Sequence, residues 1–302
     1  MSSFPTRILL ATDGSEGARL AADTAATLVA STGSELHVVC VGPGLPLYEL
    51  PDYPAHFEET AAAQKREAKR VLDTEVKRLE DAGAAVAEAR LETDERPDRA
   101  IVRLAEELGA GLLVVGSRGL GGLRGALMGS VSDSVVHHAH CPVMVVRDEP
   151  LTFPTRILMA TDGSKDARLA ADVALDLAAE FDSELHVTYV EPMPARHIGL
   201  ARLASDLPPE VVASVEEEAE TKLAEQVGEM GERDGEVTRA HARVGSPATE
   251  IVALAEELEA GLVVVGSRGL GGLRRALMGS VSDSVVRHTH CPVMVVRKEK
   301  ER

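Results

Sequence analysis

The sequence is short of the features that would mark several common classes of protein. It has only three cysteines, Cys40, Cys141 and Cys291. An odd count this small cannot build a disulfide framework, so the thiols read as reduced and intracellular. Basic residues are scarce beside acidic ones: 32 Lys and Arg against 49 Asp and Glu, a formal net charge of −17. A field of that sign repels nucleic acid and anionic membrane, so neither is expected as a partner. It does not exclude a single nucleotide, because a local site can overcome the global field. No apolar run approaches the length of a membrane span, and no charged-then-apolar leader is visible. The expectation is a cytoplasmic protein.

What is present is a repeat. Residues 111–147 read GLLVVGSRGLGGLRGALMGSVSDSVVHHAHCPVMVVR, and residues 261–297 match them at 33 of 37 positions. FPTRILLATDGS at 4–15 likewise returns as FPTRILMATDGS at 153–164. With 302 residues, a period this long is a duplicated domain rather than a solenoid. We expect one domain over residues 1–148 and a second over 153–302. The linker around Asp148–Thr152 is short enough that the halves should lie against each other.

Within each half, strand and helix patterns alternate. In the first, Ile8–Ala11 is an apolar run that ends in Thr-Asp-Gly-Ser, followed by a helix with Leu20, Thr24 and Leu28 on one side. Glu35–Val41 is rich in β-branched residues and reads as a buried strand. A helix is expected over about residues 57–82, with Leu72, Val76 and Leu79 on one face. A weaker strand follows over Ala85–Leu91. Pro97 stands where a first helical residue would, and Ile101, Leu104, Ala105 and Leu108 continue an amphipathic spacing. Leu112–Val115 is a strand ending at Gly116, Ser130 opens a helix, and Val143–Val146 is the fifth strand.

This β-α-β-α-β-α-β-α-β order implies an α/β fold: two tandem doubly wound domains, each a five-stranded parallel sheet with helices on both faces. Strand orders 3-2-1-4-5 and 2-1-3-4-5 both fit. We adopt 3-2-1-4-5, in which strands 1 and 4 are neighbours. Asp13 and Gly116 then meet at the switch point, where ligands bind in open α/β sheets.

The glycine loop has phosphate-binding chemistry. Gly116, Gly119 and Gly129 are spaced G-x2-G-x9-G-S, repeated as Gly266, Gly269, Gly279 and Ser280. A Cβ at Gly116 would obstruct approach of a ligand to the backbone. Gly119, Gly121 and Gly122 let the loop turn its N–H groups inward. Gly129-Ser130 leads into a helix whose free N–H groups favour an anion, and Arg118 adds charge near the outer phosphates. The plainer reading is a tight turn followed by a capping box, Ser130-Val-Ser-Asp133. Against it stand four glycines, each costly in folding entropy, repeated while other loops diverge. A Walker loop is excluded, since no Lys precedes Ser130 or Ser280, and Arg124 or Arg274 stands where a dinucleotide fingerprint would continue.

These residues resemble the universal stress protein family in its tandem two-domain form. The opening ILLATDGS, the strand-end VVGSRG, the GSVSDSV helix start and the closing CPVMVVR all carry the resemblance, which spans the chain. The family's nucleotide motif is G-x2-G-x9-G-[ST], and both halves match it, so the resemblance implies the ATP-binding subgroup. It implies that Thr12 and Asp13, with Thr161 and Asp162, face the adenine and ribose. Val41 and Val190 would offer backbone contacts to adenine. Gly116, Arg118, Gly119, Gly129, Ser130, Val131 and Ser132 would line ribose and phosphates, as would Gly266, Arg268, Gly269, Gly279, Ser280, Val281 and Ser282. ATP is the implied cofactor, with Mg²⁺ or Mn²⁺ left open as its companion. The family pairs domains through the last strand, here Val143–Val146 and Val293–Val296, which implies an intrachain pseudo-dimer or a homodimer.

The chain departs from the family pattern at Glu95-Arg96-Pro97, where the second half keeps Gly245-Ser246-Pro247. Gly111 and Gly261 replace an acidic residue. The loops after strand 2 also differ, Tyr48, Tyr53 and Phe57 against Met193, His197 and Ile198, so the two sites should differ in affinity. His138, His140 and Cys141, with His288, His290 and Cys291, read as a turn into the last strand rather than a metal site. His37 and His186 read as packing residues with one satisfied nitrogen. No nucleophile and base pair is legible, so the expectation is a nucleotide-dependent stress-response regulator or interaction module with an unidentified protein partner. The alternatives are a slow ATPase or autophosphorylating enzyme, and an adenine-nucleotide carrier.

Overall fold

The computed structural model describes residues 5–42, 54–93, 95–120, 128–153, 155–193, 209–231, 236–270 and 278–298. The chain divides into two compact units, over residues 4–152 and 153–297. In the first unit the order is β1 (Arg7–Thr12), α1 (Glu16–Thr32), β2 (Glu35–Val41), α2 (Pro54–Asp81), β3 (Val86–Glu92), α3 (Pro97–Leu108), β4 (Leu112–Gly116), α4 (Ser130–His138) and β5 (Val143–Val146). The second unit repeats it as β6 (Arg156–Thr161), α5 (Lys165–Phe181), β7 (Glu184–Pro192), α6 (Pro209–Met230), β8 (Arg239–Gly245), α7 (Pro247–Glu257), β9 (Leu262–Gly266), α8 (Ser280–His288) and β10 (Val293–Val296).

The sheet of the first unit runs β3-β2-β1-β4-β5 with every pair parallel. The second runs β8-β7-β6-β9-β10, also parallel. This is the 3-2-1-4-5 order in each unit. The central strands read as continuous apolar runs because both faces are covered by helices. Leu112, Leu113 and Val114 are fully buried, as are Ile8 and Leu10 beside them. The register Ile8↔Leu112 and Leu10↔Val114 brings the carboxyl ends of β1 and β4 side by side.

Local sequence fixes where the helices begin. Ser15 caps α1 by accepting from Ala18 N at 3.2 Å, and Ser164 does the same for α5 through Ala167 N. Pro97 and Pro247 stand in the first turns of α3 and α7. Leu20 is only half-buried, whereas Thr24 and Leu28 are fully buried. Thr24 is tolerated there because its Oγ1 donates to Leu20 O and accepts from Leu151 N, both at 2.9 Å.

Ser130 opens α4 as expected, but the capping-box reading is corrected. Ser130 does not cap α4: it is already helical, and Gly129, in extended conformation (φ −76°, ψ 151°), is the N-cap with no side-chain hydrogen bond. Gly279 takes the same position before α8. A one-residue shift puts Ser130 Oγ out of reach of the N–H groups that a capping box satisfies.

No helix among the described residues is long and apolar enough to cross a membrane.

Candidate nucleotide site at the switch point

The two distant motifs of each unit meet through Asp13 and Asp162. Asp13 Oδ1 accepts from Ser15 N at 3.0 Å, a local turn that leads the chain into α1. Its other oxygen accepts from Leu120 N at 2.9 Å, which latches the glycine loop to the end of β1. Asp162 repeats both bonds, with Ser164 N at 3.0 Å and Leu270 N at 2.9 Å. A Cβ on Gly119 or Gly269 would run into the same carboxylate. The second motif glycine therefore makes room for the latch.

The first motif glycine has a packing cause beside the one the sequence suggests. A Cβ on Gly116 would lie 2.5 Å from the backbone of Gly17, and one on Gly266 would lie 2.7 Å from the backbone of Asp166 and Ala167. Close packing of α1 on β4, and of α5 on β9, demands glycine here, so the approach of a ligand is not needed to explain it. The third motif glycine is different again. At Gly129 and Gly279 the nearest protein atom to an added Cβ is 3.5 Å away, and φ is negative. Among the described residues nothing requires glycine there.

The loop is held from several sides. Ser132 Oγ donates to Gly116 O at 2.6 Å, and Ser282 Oγ to Gly266 O at 2.6 Å. Gly129 N donates to Ser117 O at 2.8 Å, and Gly279 N to Ser267 O at 2.7 Å. Ser15 Oγ donates to Arg118 O at 3.3 Å, and Ser164 Oγ to Arg268 O at 3.0 Å. The serine of the DGS motif thus belongs to the site. Its bond reaches a residue 103 positions away, which local sequence does not reveal.

Among the remaining expected residues, Thr12 and Thr161 are buried and accept locally from Gly14 N and Gly163 N, each at 3.2 Å. Thr161 Oγ1 also donates to Gln226 Oε1 on α6 at 3.2 Å. Val41 ends β2 half-buried, whereas Val190 is buried inside the longer β7. Ser130 and Ser280 are exposed at the helix mouths, beside half-buried Val131 and exposed Val281. Gly121, Gly122, Arg124 and Arg274 lie outside the described residues, as do Tyr48, Tyr53, His197 and Ile198.

The loop arginines differ between the units. Arg118 Nη2 pairs with Asp148 Oδ1 at 2.9 Å, and both side chains are about half exposed. Arg268 Nε pairs instead with Asp166 Oδ2 at 3.1 Å, a carboxylate that is 6% exposed. Beside the strand-2 ends, Cys40 is buried near Asp13; burial, then the Asp13 charge, push its thiol up to about 11. It is therefore a packing residue rather than a nucleophile. The histidines of the last turn have protein partners: His138 Nδ1 donates to Ser134 O at 2.7 Å, and His140 Nε2 lies 3.0 Å from Glu106.

Each unit is a doubly wound α/β domain with a latched glycine loop and an uncapped helix start at its switch point. A profile described as the universal stress protein family matches residues 5–147 and again 154–297. The chain belongs to that family, as two tandem domains. A universal stress protein of Mycobacterium tuberculosis is 32% identical over 300 residues, covering 96% of this chain and 97% of its own. Another from the same organism is 33% identical over 242 residues, covering 78% of each chain. The crystal structure of a universal stress protein from Archaeoglobus fulgidus superposes with a TM-score of 0.68 at 24% identity, covering 98% of this chain and 97% of that one, and supports the fold.

Proposed function

We propose that each unit binds an adenine nucleotide at the switch point, with ATP as the ligand of the intact motif, and that the chain acts as a nucleotide-dependent regulator or interaction module. The observation that carries this reading is the helix mouth. Among the described residues nothing crowds a side chain at Gly129 or Gly279, and each stands before a helix whose first turn has no side-chain cap. Serine, aspartate or asparagine would cap those N–H groups better. Leaving them open makes sense when an anion satisfies them.

In this reading the latch between Asp13 and Leu120 N holds the loop at the distance a phosphate chain spans. Asp13 and Asp162 keep lone pairs for ribose hydroxyls, and Val41 and Val190 offer backbone to the base. Ligand binding orders the loop and presents a changed surface to a protein partner, which requires that the contacts differ between the two states. The exposed hydroxyls of Ser130 and Ser280 at the helix mouths favour autophosphorylation as the second reading. Asp133 and Asp283 sit in the first turns of α4 and α8 as good partners for a helix N-terminus, which accounts for them without catalysis.

Extraction of nucleotide from the purified protein, followed by calorimetric titration with ATP, tests the reading. We expect adenine nucleotide to be released and binding to be lost in the double variant Gly129→Val, Gly279→Val. No binding at millimolar ATP would overturn it. Label from γ-phosphate-labelled ATP that survives denaturation, and disappears in Ser130→Ala with Ser280→Ala, would move the conclusion to the second reading.

A further inference from the structure

Asp166 belongs neither to the latch nor to the helix mouth. It lies in the first turn of α5 and is 6% exposed. Its Oδ2 accepts from Ser267 Oγ at 2.7 Å and from Arg268 Nε at 3.1 Å. Both partners are residues of the glycine loop, so a fixed carboxylate sits at the loop's base in the second unit. The aligned residue of the first unit, by the match of residues 4–17 with 153–166, is Gly17. Arg118 there takes Asp148 instead, and the residue aligned with Asp148 in the second unit is Lys298. The same arginine thus has exchanged its counter-ion between the two copies.

The exchange has a consequence for anions. The Arg118–Asp148 pair is half exposed on both sides. Such a pair is weak and screened, so Arg118 can turn to a phosphate at small cost. Asp166 is buried, and stripping its counter-ion would leave an uncompensated charge in a low-dielectric place. Arg268 is therefore held, its charge is already matched, and each added phosphate meets the field of Asp166.

We propose that Asp166 sets the phosphate preference of the second site: its affinity for the nucleoside triphosphate, relative to the monophosphate, is lower than that of the first unit. This rests on the nucleotide reading above.

The test is calorimetric titration of the full chain with ATP, ADP and AMP, without divalent ion and then with Mg²⁺. Gly129→Val leaves the second site to be measured alone, and Gly279→Val leaves the first. We expect the ratio of ATP to AMP affinity to be at least about tenfold lower at the second site, as one close like charge produces. Asp166→Asn, which keeps the shape, should bring that ratio to the value of the first site. Asp166→Gly, the residue of the first unit, is the second variant should the amide perturb α5. Equal ratios at the two sites, or a ratio that neither variant moves, would overturn the inference and leave the nucleotide reading intact. A second site that prefers ATP in Mg²⁺ and loses that preference in Asp166→Asn would also overturn it. Failure of all three nucleotides to bind at either site would overturn both.

Discussion

The two units carry the same glycine loop and latch it in the same way, but they differ in what anchors its arginine. In the first unit the anchor is an exposed aspartate beyond β5; in the second it is a buried aspartate in the first turn of α5. The comparison separates two kinds of similarity. The latch bonds of Asp13 and Asp162 agree in length and partner, because both depend on backbone donors in repeated sequence. The arginine contacts diverge because they depend on single side chains outside the repeated stretch. Duplication has kept the scaffold of the site while leaving its charge free to change.

The largest expected effect tests the shared scaffold. Gly116→Ala and Gly266→Ala should each destabilise their unit by about 2–3 kcal/mol, since a new Cβ meets helix backbone that has no rotamer to yield. Gly129→Ala and Gly279→Ala should do the reverse, with small losses of stability and at least a tenfold loss of nucleotide affinity, about 1.4 kcal/mol. Thermal melts alongside calorimetry check both. A Gly116→Ala protein that melts like the wild type would remove the packing account of the first motif glycine.

The difference between the units is sharpened by the arginines. Arg268→Ala leaves the buried Asp166, among the described residues, with the Ser267 hydroxyl alone, at an expected cost of about 1–3 kcal/mol. Arg118→Ala breaks an exposed pair, worth about 0–1 kcal/mol. Denaturant unfolding of the two variants gives the comparison directly, and equal losses would mean that Asp166 is better solvated than its burial implies.

The pattern of what the sequence revealed follows from the range of each interaction. The strand order and the meeting of Asp13 with the glycine loop were legible, because alternating apolar blocks define parallel βα units and few topologies connect them. The helix over 54–81 and the strand over 86–92 came within a few residues of their expected bounds. The packing role of Gly116 was not legible because its neighbour is Gly17, two residues past the DGS motif and 99 before it in sequence. Ser130 opens α4 as expected, but the capping-box reading missed by one position, since Gly129 is the N-cap. Inequivalence of the sites was inferred from the loops after strand 2, most of whose residues lie outside the described ones; Asp166, a contact across 102 residues, supplies a different ground for it. Its identity as a charge at the loop could not be seen from a first-turn acidic residue, which is ordinary in helices.

The smallest expected effect separates the outer strands of the two units. His186 Nδ1 lies 2.9 Å from His241 Nε2 with the rings stacked, on β7 and β8. In the first unit the register places Arg90 where His241 stands, and His37 lies 3.5 Å from Glu88 and 3.7 Å from Glu35. His37 is thus flanked by carboxylates, and among the described residues neither of its nitrogens has a hydrogen bond, against the single satisfied nitrogen expected for it. His241 is pushed down to about 4, first by burial, then by His186 and by Arg239 and Arg243, with Glu257 opposing. A histidine whose folded value lies below its unfolded one contributes fully at pH values above the unfolded value near 6.5. That contribution is lost as the pH falls toward 4, because the unfolded chain takes up the proton first. The second unit should therefore lose about 2–4 °C of Tm between pH 7 and pH 5 beyond the loss of the first. His241→Gln should remove that excess while leaving the first unit's transition in place. Calorimetric melts at the two pH values resolve the two transitions, and an excess that persists in His241→Gln would assign the acid sensitivity to carboxylates instead.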